Sequence, residues 1–270
     1  MNDVTLQHQI EAAKVYETLF VPALFEQYAP RVADAANVGQ GKRVLDVACG
    51  TGILAREILR RVGPSGRVAG IDSVPGMIEV AKQNAPAVEW HEGKAESLPF
   101  ADDSFDVVVS QFGLMFFTDR TRAIQEMLRV LSPHGRFAVA VWDSLENIPA
   151  YASVVELVQR TAGQQAADAL RAPFVLGDQT ELSKMFSEVG ANSIEVTTHP
   201  GTGMFPSIRI MVEADLRGWL PVMGVTLSEE QISQILNEAE TALAAYATIN
   251  GQVRFDLSAH IVSGNTTQTF

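Results

Sequence analysis

The stretch Val44-Leu45-Asp46-Val47-Ala48-Cys49-Gly50-Thr51-Gly52 decides how this chain is read. A short apolar run ends in a glycine turn, and apolar residues then recur at helical spacing from Leu54 to Val62, so a strand passes through a tight loop into a helix. Gly50 and Gly52 present no side chain, which lets backbone amides at the helix N-terminus approach a polar or anionic ligand. Asp72 ends the next apolar run, 20 residues after Gly52, where an acid in an α/β fold hydrogen-bonds ribose hydroxyls. Together they predict a ligand that carries a nucleoside.

Working outward, Arg43 to Val47, Arg67 to Ile71, Val88 to His91, Phe105 to Ser110 and Phe137 to Trp142 are strand-like, and Leu54 to Val62, Met77 to Asn84 and Arg120 to Leu131 are helix-like. This alternation predicts an α/β fold of βαβ units on a parallel sheet. Val107, Val108 and Val109, then Phe137 to Val141, are apolar on both faces, as in strands covered by helices on both sides. Ser132, Pro133, His134 and Gly135 supply the stop and turn before the latter strand. Helices are expected at Thr5 to Tyr16 and around Pro22 to Ala36, the second disturbed at Pro30, and again at Ile148 to Thr161 and Glu181 to Val189. A strand Ser193 to Thr198 follows, then a helical block in which Ser228 and Gln231 form a capping box. A last strand spans Gln252 to Val262, and helices inserted between two late strands look like a lid. Neither internal repeats nor low-complexity tracts interrupt this pattern.

Of 270 residues, 47% are apolar and 19% charged, the composition of a globular chain. A formal net charge of −12 argues against a nucleic-acid partner. No apolar run approaches the ~18 residues of a membrane span. Met1, Asn2, Asp3 and Val4 lack the basic start of a signal peptide, so the cytoplasm is expected. The single cysteine, Cys49, excludes an internal disulfide and a multi-cysteine zinc site, and no metal is expected. Cys49 sits in the glycine loop without a neighbouring histidine, which favours a small buried residue over a nucleophile.

Gly50, Gly52 and Ala55 also fit the dinucleotide pattern G-x-G-x-x-A, so a nicotinamide-dependent oxidoreductase is the rival enzyme. Asp46 weighs against it, because an acid beside the turn suits a ligand with a cationic amino group. A Tyr-x-x-x-Lys pair is also lacking.

Four ordered motifs over about 100 residues, Val44 to Gly52, Gly70 to Ala81, Gly93 to Leu114 and Glu126 to Val139, give the chain a further identity. In them it resembles the class I S-adenosylmethionine-dependent methyltransferases, most closely the methyltransferase type 11 group related to ubiquinone and menaquinone biosynthesis C-methyltransferases. The resemblance implies a Rossmann-like, seven-stranded sheet, parallel except for an antiparallel last strand, flanked by helices and a helical lid. It implies one domain over residues 1–270, with a cofactor-binding core at 38–145, helical cap or lid segments at 1–37, 146–190 and 201–250, and the last strands within 191–200 and 251–265. The cofactor implied is S-adenosyl-L-methionine. Its methionine part would lie against Ala48, Gly50 and Thr51 near Asp46, and Asp72, with Ser73 beside it, would hold the ribose. Met77 would pack on the adenine, Lys94, Ala95 and Glu96 would border it, Gln111 would face the methionine end, and Tyr16 would close over the cofactor.

The histidines are candidate bases, and His199, leaving the sixth strand at the ligand-binding end of the sheet, is the one retained, with the catalytic residue otherwise unknown. Phe112, Met115, Phe116, Phe117, Trp142, Met204, Phe205, Trp219 and Met223 fall in segments expected around the acceptor. If three line a cavity, the acceptor is a small apolar or aromatic molecule; a cofactor-binding regulatory protein without turnover is the reading from another class. A homodimer is left open. Lys94 stands where relatives usually have Asp or Asn accepting from the adenine amino group, and an ammonium only donates. That bond should therefore pass to a backbone carbonyl or to Glu96, and Lys94→Asp should keep or tighten cofactor binding. A tenfold loss of affinity by calorimetry would contradict this.

Overall fold

The computed structural model describes residues 3–266; Met1 and Asn2, read above for a leader, and the last four positions of the expected single domain lie outside them. In chain order the elements begin with α1 (Asp3–Val15), a π-helical run Tyr16–Phe25, a 3-10 turn Glu26–Tyr28, α2 (Ala29–Ala35), β1 (Arg43–Val47), α3 (Ile53–Val62), β2 (Arg67–Asp72) and α4 (Pro75–Asn84). Next come β3 (Glu89–Glu92), β4 (Phe105–Gln111), α5 (Arg120–Arg129), β5 (Leu131–Trp142), α6 (Pro149–Ala162), α7 (Gln164–Arg171) and α8 (Gln179–Ser187). Then follow β6 (Asn192–His199), β7 (Thr202–Phe205), α9 (Ile208–Ala214), a π-helical turn Asp215–Trp219, α10 (Leu220–Val222), α11 (Glu229–Ala242), β8 (Val253–Asp256) and β9 (Ala259–Asn265).

Two compact units divide the chain, where one domain was expected. The first holds the described residues up to Val141, Asp178–His199 and those from His260 onward. Its seven strands run in the order β3-β2-β1-β4-β5-β9-β6. β1 pairs in parallel with β2 and β4, β2 with β3, and β4 with β5. β9 reverses: Asp143 N donates to Ser258 O while Thr266 N donates to Gly135 O, so its numbers fall as those of β5 rise. Val44, Leu45, Val107 to Val109 and Phe137 to Val141 are buried, as strands sandwiched by helices must be. On one face Phe186 of α8 stacks on Phe137, centroids 5.0 Å apart. α8 therefore flanks the sheet, correcting its place in the lid segment 146–190. α1 crosses α4 at Gly76, where a Cβ would stand 2.4 Å from the Gln9 carbonyl carbon.

Three local expectations change. Pro30 sits in the first turn of α2, where its missing N–H is no loss, so it starts a helix instead of disturbing one. Pro22 lies inside the π-helical run, a register that absorbs it. The expected strand Gln252 to Val262 breaks at Leu257 and Ser258, so that β8 pairs with β7 and only β9 joins the main sheet.

The second unit, Trp142–Gly177 and Pro200–Ala259, holds α6, α7, α9, α10, α11 and the β7–β8 pair. The capping box expected at Ser228 and Gln231 is formed at the start of α11. Asp143 pins the entry to the unit: Oδ1 accepts from Ser144 N at 2.7 Å and Asn147 Nδ2 at 2.9 Å, and Oδ2 from Ser258 Oγ at 2.7 Å.

Gly52 caps α3 with φ of 87°, and a Cβ there would stand 2.6 Å from Trp90 Cη2. The left-handed backbone and the overpacked indole should together destabilise Gly52→Ala by about 2–4 kcal/mol. Denaturant titration checks this, and Trp90→Leu in the same chain should recover the packing part of the loss.

Candidate functional site

The loop after β1 is built by hydrogen bonds from its neighbours. Asp72, at the end of β2, accepts from Gly50 N through Oδ2 and from Val74 N through Oδ1, both at 2.9 Å. Cys49 N donates to Ile71 O at 3.0 Å, and Gly52 N to Cys49 O at 2.9 Å. The backbone is left-handed at Ala48 (φ 57°), Gly50 (55°) and Gly52 (87°), and again at Phe112 (57°) just beyond β4. Ala48 and Phe112 thus adopt a conformation that favours glycine at the carboxyl ends of two adjacent strands, and such strain concentrates at functional sites.

Beneath this loop lies a group of polar atoms that the described residues leave unsatisfied. Asp46 is 1% exposed and neither carboxylate oxygen has a hydrogen-bond partner; the same is true of Thr51 Oγ1, Ser110 Oγ and Gln111 Oε1. Burial pushes the Asp46 carboxyl well above the ordinary aspartate range and the Asp72 charge adds to the rise, while the Ala55 amide, near the carboxyl but short of hydrogen-bond geometry, opposes it. Burial likewise pushes the Cys49 thiol up, away from a reactive thiolate. Buried polar groups without partners are uncommon, so this cluster at the ends of β1 and β4 fits a ligand that supplies donors and acceptors there.

An aromatic row closes the loop from the N-terminal side. Tyr16 Cε1 stands 3.9 Å from where a Cβ on Gly50 would be, and its ring lies 5.3 Å from Phe25 and 6.1 Å from Phe20. Phe112 touches Phe25 at 5.6 Å and Tyr28 edge-on at 5.3 Å. Burial and the charges of Asp72, Glu17 and Asp46 hold the Tyr16 phenol protonated. Arg56 ties the row to the loop, donating to Glu17 Oε1 at 2.7 Å and Thr51 O at 2.9 Å. Gln111 Nε2 donates to Phe25 O at 3.2 Å.

The structure therefore gathers Tyr16, Asp46, Ala48, Gly50, Thr51, Asp72 and Gln111 about one loop. Ser73 and Lys94 are exposed, Met77 is half-buried and Ala95 is buried. Glu96 is committed elsewhere: its Oε1 accepts from Thr118 N at 2.9 Å and Asp119 N at 3.4 Å, which weakens it as the substitute partner for the adenine amino group.

Two expectations are corrected. Gly52 has a packing reason to be small, since the Trp90 indole covers it and its backbone is left-handed; Trp90 crowds Gly70 in the same way. His199 stands on β6, four strands from β1 in sheet order, about 19 Å at ordinary strand spacing. It lines a groove of about 360 Å³ with Arg31, Asp34, Arg136 and Glu195, and burial and Arg31 lower its pKa. Sheet geometry thus sets it apart from the glycine loop.

The proposed acceptor lining is also redistributed. Phe112, Met115, Trp142 and Phe205 are buried, Phe116 and Met204 are exposed, and Phe117, Trp219 and Met223 are half-buried, with Trp219 Nε1 donating to Ala169 O. Sequence reasoning missed Ser110, Phe25, Tyr28 and the Arg56–Glu17 link. Only Ser110, the polar residue that follows the apolar run Val107 to Val109 in β4, carried a signal that could have found it.

Residues 44–135 match the family model described as a methyltransferase domain. A demethylmenaquinone methyltransferase of Staphylococcus aureus is 34% identical over 206 residues, which cover 70% of this chain and 85% of that one. Among solved structures, the YcgJ protein of Bacillus subtilis is 22% identical with a TM-score of 0.59, over 90% of this chain and 99% of that one. A phosphoethanolamine N-methyltransferase 2 of Haemonchus contortus, solved with S-adenosylhomocysteine, is 15% identical with a TM-score of 0.60, over 97% of this chain and 58% of that one. With a left-handed loop at the end of β1, an acid at the end of β2 and this curated relative, the chain belongs to the S-adenosylmethionine-dependent methyltransferases.

Proposed function

We propose that the chain methylates a small, apolar or aromatic molecule in the cytoplasm, not a nucleic acid. The methyltransferase class and the cofactor, S-adenosylmethionine, follow from the family. The carrying observation for the cofactor's place is the set of unpartnered atoms on Asp46, Thr51, Ser110 and Gln111 around a loop already shaped by Asp72. When bound, the cofactor supplies a sulfonium-activated methyl group.

The chain's own residues then have limited tasks. Asp46 meets the cationic amino group and gives up its proton to do so, Gly50, Ala48 and Thr51 hold the methionine part, and Gln111 faces it from β4. Asp72 keeps a lone pair on each oxygen for the ribose hydroxyls while it holds the loop. Met77 and Ala95 offer apolar surface to the adenine, with Ser73 and Lys94 at its border and Glu96 bracing the segment from behind. Tyr16 and Phe25 exclude water from the loop, and alignment for in-line displacement needs no obligatory base.

The Staphylococcus aureus relative is named for demethylmenaquinone, and an acceptor of that apolar character suits the net charge of −12, which repels polyanions. No helix among the described residues is long and apolar enough to cross a membrane. A homodimer is compatible with this reading.

Asp46 gives the test. Its native carboxyl stays protonated above the unfolded value near 3.8, so the unfolded state loses its proton first and stability falls as pH rises through that window. Asp46→Asn should raise the melting temperature of the ligand-free protein at pH 7, by the equivalent of about 1–3 kcal/mol, with little gain at pH 3. The same variant should lose at least tenfold in S-adenosylmethionine affinity by calorimetry. No binding to the parent protein at millimolar cofactor would overturn the site.

A further inference from the structure

The glycine loop and the N-terminal segment share one side chain. Arg56, in the first turn of α3, donates through Nη1 to Thr51 O at 2.9 Å and through Nη2 to Glu17 Oε1 at 2.7 Å. Glu17 stands in the first turn of the π-helical run Tyr16–Phe25, next to the ring that lies against Gly50. One planar guanidinium thus bridges two segments through a rigid fork of donors. The other arginines of α3 are engaged differently. Arg60 pairs with Glu57 on the helix itself, and Arg61 pairs with Glu57 and with Asp34 of α2.

The peptide that Arg56 holds decides what the bridge fixes. Thr51 C=O and Gly52 N–H belong to one planar peptide unit; the carbonyl accepts from Arg56 while the amide donates to Cys49 O at 2.9 Å. Both sides of that plane are therefore held, and the Thr51 backbone with it. Asn84 Nδ2 approaches the same carbonyl only at 3.5 Å, which leaves Arg56 as its principal partner. Glu17 Oε2 is buried with no hydrogen-bond partner among the described residues, so the carboxylate depends on Arg56 for compensation. The two side chains are 20% and 21% exposed, too little for bulk ions to screen the pair as they would on the surface.

The far end of the run is tied as well. Gln111 Nε2 donates to Phe25 O at 3.2 Å, and the Phe25 ring stacks on Tyr16 at 5.3 Å. A π-helical stretch of ten residues is uncommon, and such stretches concentrate at functional sites. The run is fastened at its start through Arg56 and at its end through Gln111, which keeps the Tyr16 ring at Gly50.

We infer that Arg56 and Glu17 are positioning residues that make the site selective for a ligand bearing the amino-acid end of S-adenosylmethionine. Neither has to touch the cofactor, because the pair sets Thr51 and Tyr16 beside the methionine part. This rests on the placement of that part at the glycine loop and deepens it, by assigning discrimination between the whole cofactor and one cut short at its sulfur.

The test is calorimetry on the full chain with two probes, S-adenosylhomocysteine and 5′-methylthioadenosine, which keeps the adenosine and the sulfur but lacks the amino-acid end. The parent should bind S-adenosylhomocysteine at least tenfold more tightly. Arg56→Met should weaken S-adenosylhomocysteine at least fivefold and Glu17→Met at least threefold, each leaving 5′-methylthioadenosine within twofold. Because the two act through one bond, the double variant should bind S-adenosylhomocysteine no more than twofold more weakly than Arg56→Met. Arg56→Lys, which keeps the charge but not the fork, should fall between parent and Arg56→Met, and with Glu17→Gln it carries the comparison if the methionine variants do not fold. Unchanged S-adenosylhomocysteine affinity in the single variants, an equal loss of both probes, or losses that multiply in the double variant overturns the inference. A parent that binds both probes equally overturns it too and leaves the cofactor standing, whereas a parent that binds neither removes the cofactor reading itself.

Discussion

Both oxygens of the Asp72 carboxylate accept backbone amides, Gly50 N from the loop after β1 and Val74 N from the turn leading to α4, and the rest of the site is organised by that pair of bonds. An amide hydrogen bond to a carboxylate contributes on the order of 1.5–3 kcal/mol, enough to hold Ala48 and Gly50 in left-handed conformations that their neighbours alone would not impose. With the loop fixed, the α3 N-terminus, the Thr51 carbonyl that Arg56 reaches and the Tyr16 ring acquire defined positions. Asp72 is thus a framework group as well as a candidate ribose partner, since each oxygen retains a lone pair.

A second constraint runs against stability. Asp46, Thr51, Ser110 and Gln111 bury polar atoms without partners in the first unit, and Asp215 does so in the second. Apolar replacements would pack at least as well in these positions. Each unit therefore holds one carboxylate that braces the backbone and one with a buried oxygen lacking a partner among the described residues: Asp72 and Asp46 in the first, Asp143 and Asp215 in the second.

The α/β alternation, the covered strands and the antiparallel last strand were legible because each rests on local pattern: apolar runs of strand length, helical spacing and motif order. The break at Leu257 and Ser258 was not legible, because Gln252 to Val262 alternates well enough for one strand and only pairing partners divide it between two sheets. Pro30 misled for a related reason, since a proline disrupts a helix or starts one according to where the first turn falls. Within the site, Asp46, Gly50, Thr51, Asp72 and Gln111 could be named from motif order, whereas the distance of His199 from the glycine loop was set only by strand order.

What the sequence determined by itself is what short-range chemistry encodes: the fold class, the strand-loop-helix that begins with β1, and a net charge of −12. Tertiary structure alone decided which glycines are small for packing, because Trp90 reaches Gly52 and Gly70 only once β3 lies beside β2. It also decided which carboxylates are satisfied. Asp46, Asp72, Asp143 and Asp215 are one residue type in the sequence, and their differences arise from burial and from donors that distant segments bring within hydrogen-bond reach.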